Sequence, residues 1–260
     1  MNENSILNKG VNALTSLTSL SGLFWDNQND NKGSLVSDER MIALGDALQG
    51  VLKESKIEIP KIVAVGTQSS GKSSVLNSLI GMDILPTGKQ MVTRTPLHLE
   101  IVHSTNKENK SYAEFGEYSN GSWDVSNTFQ ITFPKPTEHE RNLISEYIEK
   151  ETCNKAGSQR DVSSNIINLR IVSPYVSNLS FIDLPGLTAV ACTDQGQPKD
   201  IKDKIERLVG QFIEKDSTLI LAVMQGRADL EADMGLELVK KYDPTGERTL
   251  GVITKLDLMN

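Results

Sequence analysis

Short apolar runs alternate with segments of helical periodicity from about residue 38 to the end of the chain. Runs of strand length are followed by stretches in which apolar residues recur every three or four positions. Strands are predicted at 61–66, 97–103, 166–172, 179–185, 218–224 and 249–255, and helices at 38–54, 73–81, 138–152, 198–215 and 231–241. Alternation of this kind predicts an α/β fold of three layers, with a mostly parallel sheet and helices on both faces.

Residues 104–137 interrupt this alternation. Asn, Ser, Gly and Pro stand between aromatic residues there, and no strand–helix rhythm is visible. We therefore expect an insertion made of loops and edge strands.

The N-terminal segment differs in composition from the rest of the chain. Residues 1–37 are rich in Asn, Ser, Thr and Gly, and their apolar stretch at 11–25 carries no charge. This favours a flexible or docked leader; a helix on a membrane surface or a partner is the alternative, although it lacks the usual Lys/Arg face. A helix with one apolar stripe follows and is assigned to residues 38–57, which leaves 58–260 as the main domain.

Composition narrows the function classes. The net charge is −7, which argues against nucleic acid as the main partner, since such partners need a basic footprint. Two cysteines predict no disulfide framework, and three scattered histidines predict no metal site. The chain has no apolar run long enough to cross a membrane and no signal-peptide pattern, so the cytoplasm is the predicted compartment.

A phosphate-binding loop is the strongest motif. The segment GTQSSGKS has the form G-x-x-x-x-G-K-[ST] and lies between a predicted strand and a predicted helix, which is the context that the motif requires. Backbone N–H groups and the helix N-terminus would hold phosphate, Lys72 would neutralise it, and the Ser73 hydroxyl would bind Mg²⁺. The residues predicted to line this site are Gly66, Thr67, Gln68, Ser69, Ser70, Gly71, Lys72, Ser73 and Ser74.

Two further motifs stand at strand ends. In DLPG, the Asp183 carboxylate can hold Mg²⁺ through water, and the amide of Gly186 can contact the γ-phosphate. In TKLD, which begins at Thr254, the Asp257 carboxylate can accept hydrogen bonds from guanine N1–H and its 2-amino group, and the Lys255 stem can lie over the purine. Adenine offers no such donor pair, so the third motif predicts GTP over ATP.

A threonine that closes over magnesium and the γ-phosphate is expected between the first two motifs. The segment VTRTP offers Thr93 and Thr95 for this purpose.

Taken together, these segments resemble the dynamin superfamily of large GTPases. The resemblance rests on GTQSSGKSSVLNSLIG, LPTGKQMVTRTPL, DLPGLT and DPTGERTLGVITKLDLM, and it covers roughly residues 38–260. Small GTPases place a far shorter segment between the lysine and the aspartate of the first two motifs, so the match is to the large GTPases in particular.

The resemblance implies roles for individual residues. Thr93 matches the switch threonine that holds Mg²⁺ and places the attacking water, whereas Thr95 is given no role. Gln68 would arrange that water, Ser69 would help to hold a monovalent cation (K⁺ or Na⁺), and Gly186 would contact the γ-phosphate or the water. Asp229 matches an acidic residue that reaches across a dimer of GTPase domains.

The sequence departs from the family pattern at two places. Gln90 stands where dynamins carry the second glycine of a Gly-Ser-Gly segment, while Gly88 keeps the first and Lys89 lies between them; this puts binding of the monovalent cation in doubt. The family's domain also continues beyond TKLD with a strand, a base-capping loop and a helix that pairs with the one at 38–54. We therefore expect the domain to be incomplete at its C-terminal side, with the membrane-binding regions absent.

The predicted activity is Mg²⁺-dependent hydrolysis of GTP to GDP and phosphate, stimulated by face-to-face dimerisation. The resemblance links this activity to membrane remodelling by a cytoplasmic protein that is peripheral at membranes, and it is compatible with binding to microtubules. The alternative is a GTP-binding interaction module that does not hydrolyse; an ATPase is a third hypothesis.

Overall fold

The computed structural model describes residues 61–87, 93–104, 110–119, 122–157, 161–189, 191, 193–227 and 229–258. The predicted leader at 1–37, the helix assigned to 38–57 and the loop with Gly88, Lys89 and Gln90 lie outside the described residues. No helix in the described ranges combines the length and the apolar character needed to cross a membrane.

In the described part of the chain, eight strands form one sheet. They are β1 Lys61–Val65, β2 Leu97–His103, β3 Ser111–Ser119, β4 Ser122–Ile131, β5 Ile167–Ser173, β6 Leu179–Asp183, β7 Thr218–Gln225 and β8 Thr249–Thr254. Their order across the sheet is β4-β3-β5-β2-β6-β1-β7-β8. The half that carries the three motifs is parallel throughout, because β1 pairs in parallel with β6 and β7, and β7 with β8.

The other half of the sheet reverses direction at β2. Strand β2 pairs antiparallel with β6 but parallel with β5, and β3 pairs antiparallel with both β4 and β5. The segment at 104–137 contributes the β3–β4 hairpin, with β4 at the sheet edge. The prediction of edge strands for this segment is confirmed for β4 and wrong for β3, which is an interior strand with partners on both sides.

Helices cover both faces, as the fold class predicts. They are α1 Lys72–Ile80, α2 Glu138–Ala156, α3 Ile201–Ile213 and α4 Met234–Tyr242. Alternation along β1 assigns the faces: Ala64 belongs to the core shared with α1 and α2, whereas Val63 and Val65 belong to the core shared with α3 and α4. The three-layer α/β fold is confirmed.

Capping side chains set the N-termini of helices α2 and α4. Helix α4 begins at Met234 rather than 231, because residues 230–232 form a separate 3₁₀ turn and the Asp233 carboxylate caps α4 by accepting from the N–H groups of Gly235 and Leu236. Helix α2 begins as predicted at 138, after a capping box of Thr137 and Glu140.

Candidate nucleotide site

The phosphate-loop motif connects β1 to α1 at the carboxyl edge of the parallel strands, where ligands bind in open α/β sheets. A Cβ on Gly66 would lie 2.3 Å from the carbonyl oxygen of Val223, so only glycine fits between the two backbones. Gly71 has φ 98°, which glycine adopts without strain, and Ser69 has φ 61°. These constraints fold residues 66–71 around the N-terminus of α1.

Lys72 is the first residue of α1 and its side chain is buried. The ammonium Nζ donates to the carbonyl oxygens of Gly66 and Thr67, both at 3.2 Å. Burial lowers the pKa of Lys72, and the nearby Asp183 carboxylate opposes this shift by favouring the charged form. The lysine is therefore held inside the loop, at the place where phosphate would bring a compensating charge.

Asp183 ends β6 and is 3% exposed. Its Oδ2 accepts hydrogen bonds from Ser73 Oγ at 2.8 Å and from Thr93 Oγ1 at 3.2 Å. Burial raises the pKa of Asp183, while Lys72 and the hydrogen bonds from Ser73 and Thr93 oppose that rise. Two hydroxyls from distant parts of the chain thus converge on one carboxylate oxygen.

The DLPG turn lies directly against the phosphate loop. Thr67 and Leu187 form a parallel β-bridge, in which Gln68 N donates to Leu187 O at 2.9 Å and Leu187 N donates to Gly66 O at 3.1 Å. A Cβ on Gly186 would lie 2.6 Å from Gln68 Cα and 3.1 Å from Lys72 Nζ. The glycine is therefore required by the close approach of the two loops.

The TKLD motif is tied to the phosphate loop through its first two residues. Thr254 Oγ1 donates to Ser70 O and Lys255 Nζ donates to Ser69 O, each at 2.6 Å. Asp257 lies in the short 3₁₀ turn Leu256–Leu258 and is exposed, so its carboxylate is open to a ligand. The motif thus holds a carboxylate at a fixed place next to the loop that would carry the phosphates.

The remaining predicted residues line the same edge. Gln68 is half-buried and Ser69 is exposed, while Ser70 is fully buried and Ser74 is exposed on α1. Asp229, the predicted dimer contact, is exposed, and its carboxylate accepts from Glu231 N at 3.0 Å.

Two residues that contact the phosphate loop are not predicted from the sequence. Gln225, at the end of β7, donates through Nε2 to Ser69 O at 3.3 Å. Gly235 lies so close to the loop that an added Cβ would be 3.1 Å from Gly66 Cα. A glycine in the first turn of a capped helix is a signal that could have pointed to Gly235, whereas nothing in the sequence singles out Gln225.

The donor set around Asp183 fits Mg²⁺. The hydroxyls of Ser73 and Thr93 both lie within hydrogen-bond distance of one carboxylate oxygen of Asp183, and Mg²⁺ binds oxygen through one or two carboxylates, hydroxyls, water and phosphate. Together with Lys72 and the loop amides, this edge of the sheet can hold the phosphates of a nucleotide and its metal ion.

Comparisons with known proteins agree with this geometry. The family model described as "Dynamin family" matches residues 62–256. "Dynamin-A" of Dictyostelium discoideum is 40% identical over 226 residues, which cover 85% of this chain and 25% of that protein. "Dynamin-1" of Rattus norvegicus is 41% identical over 217 residues, which cover 84% of this chain and 23% of that protein. The chain thus spans about a quarter of the length of the curated relatives it matches.

Proposed function

This chain belongs to the dynamin family, whose members are GTPases, and we propose that it binds GTP with Mg²⁺ and hydrolyses it to GDP and phosphate. The observation that carries the proposal is the meeting of all three nucleotide motifs at one sheet edge. The phosphate loop contacts the DLPG turn through Leu187 and the TKLD motif through Thr254. A ligand that reaches from the loop to Asp257 must carry phosphates at one end and a base at the other.

Backbone N–H groups and Lys72 would bind the phosphates of GTP. The N–H groups where the loop enters α1 and the positive end of the α1 dipole favour an anion, and Lys72 adds a full charge. Lys72 would exchange its two carbonyl partners for β- and γ-phosphate oxygens. Its burial makes this interaction stronger than the same contact in water, because little solvent screens it.

Ser73, Thr93 and Asp183 would hold Mg²⁺. In this arrangement the hydroxyls would turn their lone pairs to the metal, and the carboxylate would bind through water or directly. When bound, the ion supplies neutralisation of the charge that develops on the phosphate oxygens. Thr93 joins the site from the segment before β2, so its position would report whether the γ-phosphate is present.

Positioning, rather than a general base, would carry the reaction. Gln68 and Thr93 would orient the attacking water in line with the γ-phosphate, and the amide of Gly186 would contact that phosphate. The close approach of Gly186 to Gln68 fixes these two elements relative to each other. Phosphoryl transfer needs such alignment and charge stabilisation more than it needs a strong base.

Guanine would be selected by Asp257. Its carboxylate accepts two hydrogen bonds from guanine N1–H and the 2-amino group, whereas adenine leaves it unpaired. The Lys255 stem would cover the purine ring while its ammonium stays on Ser69 O. The ATPase alternative is disfavoured because adenine offers this carboxylate no pair of hydrogen-bond donors.

Dimerisation is the proposed means of stimulation. Ser69 and Asp229 are exposed, and Gln68 is half-buried, at the same edge as the nucleotide site, which suits a contact between two GTPase domains across the nucleotides. A monovalent cation near Ser69 would then supply positive charge to the transition state. In full-length relatives, such paired domains would be linked to remodelling of a membrane from its cytoplasmic side.

Phosphate release measured against protein concentration tests this proposal. We expect turnover per molecule to rise with concentration, and to be higher in potassium than in a buffer without small monovalent cations. Asp229→Asn should flatten the concentration dependence while nucleotide affinity stays unchanged. Turnover at background at every concentration and in both buffers, with GTP bound, would instead support a GTP-binding interaction module that does not hydrolyse.

Gly186→Ala is expected to slow hydrolysis by about 100-fold, because displacement of a catalytic element by about 1 Å costs that much. The new Cβ would lie 2.6 Å from Gln68 Cα, so one of the two loops must move. Nucleotide affinity should change only a few-fold, since Lys72, Ser73 and Asp257 remain. Single-turnover hydrolysis and equilibrium binding separate the two effects.

Gly251→Ala is the matched control for this prediction. Its Cβ would lie 3.5 Å from Met224 Cε, which is an ordinary van der Waals contact. Wild-type turnover by a folded Gly186→Ala protein would show that contact between the loops does not set the rate.

A further inference from the structure

A small cavity lies beside Asp183, between the segment 93–97 and helix α2. Its volume is about 10 Å³, counted as the space open to the centre of a water molecule, which is roughly the minimum that one water needs. The polar residues that line it are Thr93, Thr95, Thr152 and Asp183, and the others are apolar. The cavity is thus as large as one water and is polar on several sides.

Two buried polar atoms on this cavity have no hydrogen-bond partner within the described part of the chain. They are Asp183 Oδ1 and Thr95 Oγ1, and Thr95 is only 1% exposed. The backbone N–H of Leu184 opposes the rise in the pKa of Asp183 as a hydrogen-bond donor to its carboxylate, but no donor among the described residues meets Oδ1 in hydrogen-bond geometry. Buried polar atoms in native proteins are paired with protein or with ordered water.

Thr152 also lines this cavity, but its hydroxyl already has a hydrogen-bond partner. Its hydroxyl donates to Ile148 O at 2.7 Å, one turn back in α2. Its proton is therefore satisfied within the helix, and it offers only an acceptor to the cavity. Thr95 has no such partner among the described residues, and it stands in the bend just before β2.

We propose that one buried water occupies this cavity, donates to Asp183 Oδ1 and accepts from Thr95 Oγ1, and so makes Thr95 a positioning residue for the magnesium-binding carboxylate. The hydroxyl of Thr95 donates to the water, and the water donates to Asp183 Oδ1. One molecule then satisfies both of the buried atoms that lack a partner.

The effect on Mg²⁺ affinity rests on the proposed function, whereas the presence of the water does not depend on it. With Asp183 Oδ1 hydrogen-bonded to the water, Oδ2 stays directed at Ser73 and Thr93. Partners that fix a metal-binding carboxylate from outside the coordination shell are worth about 10- to 100-fold in metal affinity. Residue patterns alone predict no role for Thr95, because its position relative to this cavity is not visible in the sequence.

Crystal structures and Mg²⁺ titrations of three variants test the inference. Thr95→Val removes the hydroxyl and keeps the shape, Thr95→Ser keeps the hydroxyl, and Thr152→Val is the matched control of equal chemistry on the same cavity. We expect ordered water in the cavity of the wild type and Thr95→Ser but not of Thr95→Val. With a non-hydrolysable GTP analogue bound, the Mg²⁺ concentration at half-saturation should rise about tenfold in Thr95→Val alone.

Each outcome decides one claim. A cavity without ordered water in the wild-type crystal overturns the inference even if Thr95→Val does not fold. Equal shifts of the Mg²⁺ midpoint in Thr95→Val and Thr152→Val also overturn it, since both changes then act only through packing. Failure of the wild type to bind the GTP analogue would contradict the proposed function, while the crystal structures would still decide the water.

Discussion

Replacing Lys72 with methionine is expected to abolish phosphate release from GTP and to weaken nucleotide binding by at least about 100-fold, since a charge-assisted contact with buried phosphate is worth about 3 kcal/mol or more. Methionine has nearly the same length and fits the buried stem, so the fold should persist. Burial already lowers the pKa of Lys72, so removing its charge relieves desolvation in the ligand-free protein and the loss appears in binding. Calorimetric titration with GDP and a phosphate-release assay measure the two effects.

Lys202→Met is the matched control for this change. Lys202 lies on α3, is exposed and forms only a surface ion pair with Glu206 at 3.7 Å, which contributes little. Both variants should unfold cooperatively near the wild-type temperature. If folded Lys72→Met binds GDP as tightly as Lys202→Met does, the phosphate loop is not the nucleotide site.

The second large effect is expected from Asp257→Asn. An asparagine keeps one acceptor and replaces the other by an N–H donor, so it cannot accept both guanine hydrogen bonds. We expect GTP affinity to fall by about two to three orders of magnitude, because the guanine 2-amino group then faces a donor. Xanthine carries a carbonyl in place of that amino group, and the same variant should bind xanthosine triphosphate more tightly than GTP.

Displacement of a bound fluorescent nucleotide by GTP, ATP or xanthosine triphosphate measures this change in nucleotide preference. Asp216→Asn, an exposed change of the same chemistry between α3 and β7, should leave all three affinities unchanged. An unchanged nucleotide preference in Asp257→Asn would favour the ATPase hypothesis over the interpretation of TKLD as a guanine-binding motif.

The sequence was sufficient where structure is decided locally. Apolar runs such as 61–66 and 218–224 can only be buried strands in an α/β chain, and the structure has them within one or two residues of the predicted bounds. Gly66, Gly71 and Lys72 occur in a motif whose geometry follows from backbone conformation and helix polarity. For these parts, pattern and physics specify the same arrangement.

Prediction failed where the outcome depends on a distant partner. Nothing in the apolar run of β2 states that it pairs antiparallel with β6, because strand direction is set by the chain connections and by partners far along the sequence. The contacts of Gln225 and Thr254 with the carbonyls of Ser69 and Ser70 involve backbone acceptors, which leave no residue pattern. The burial of Thr95 follows from the packing of α2 over the sheet, which periodicity alone does not locate.

Equilibrium binding of GTP and ATP by the purified chain, each with Mg²⁺ and with a chelator, tests guanine selection and magnesium dependence together. We expect binding of GTP that is at least about 100-fold tighter than that of ATP, since Asp257 pairs only with guanine, and a clear loss of GTP affinity when Mg²⁺ is removed. Equal binding of the two nucleotides, or GTP binding that is indifferent to Mg²⁺, would contradict this expectation.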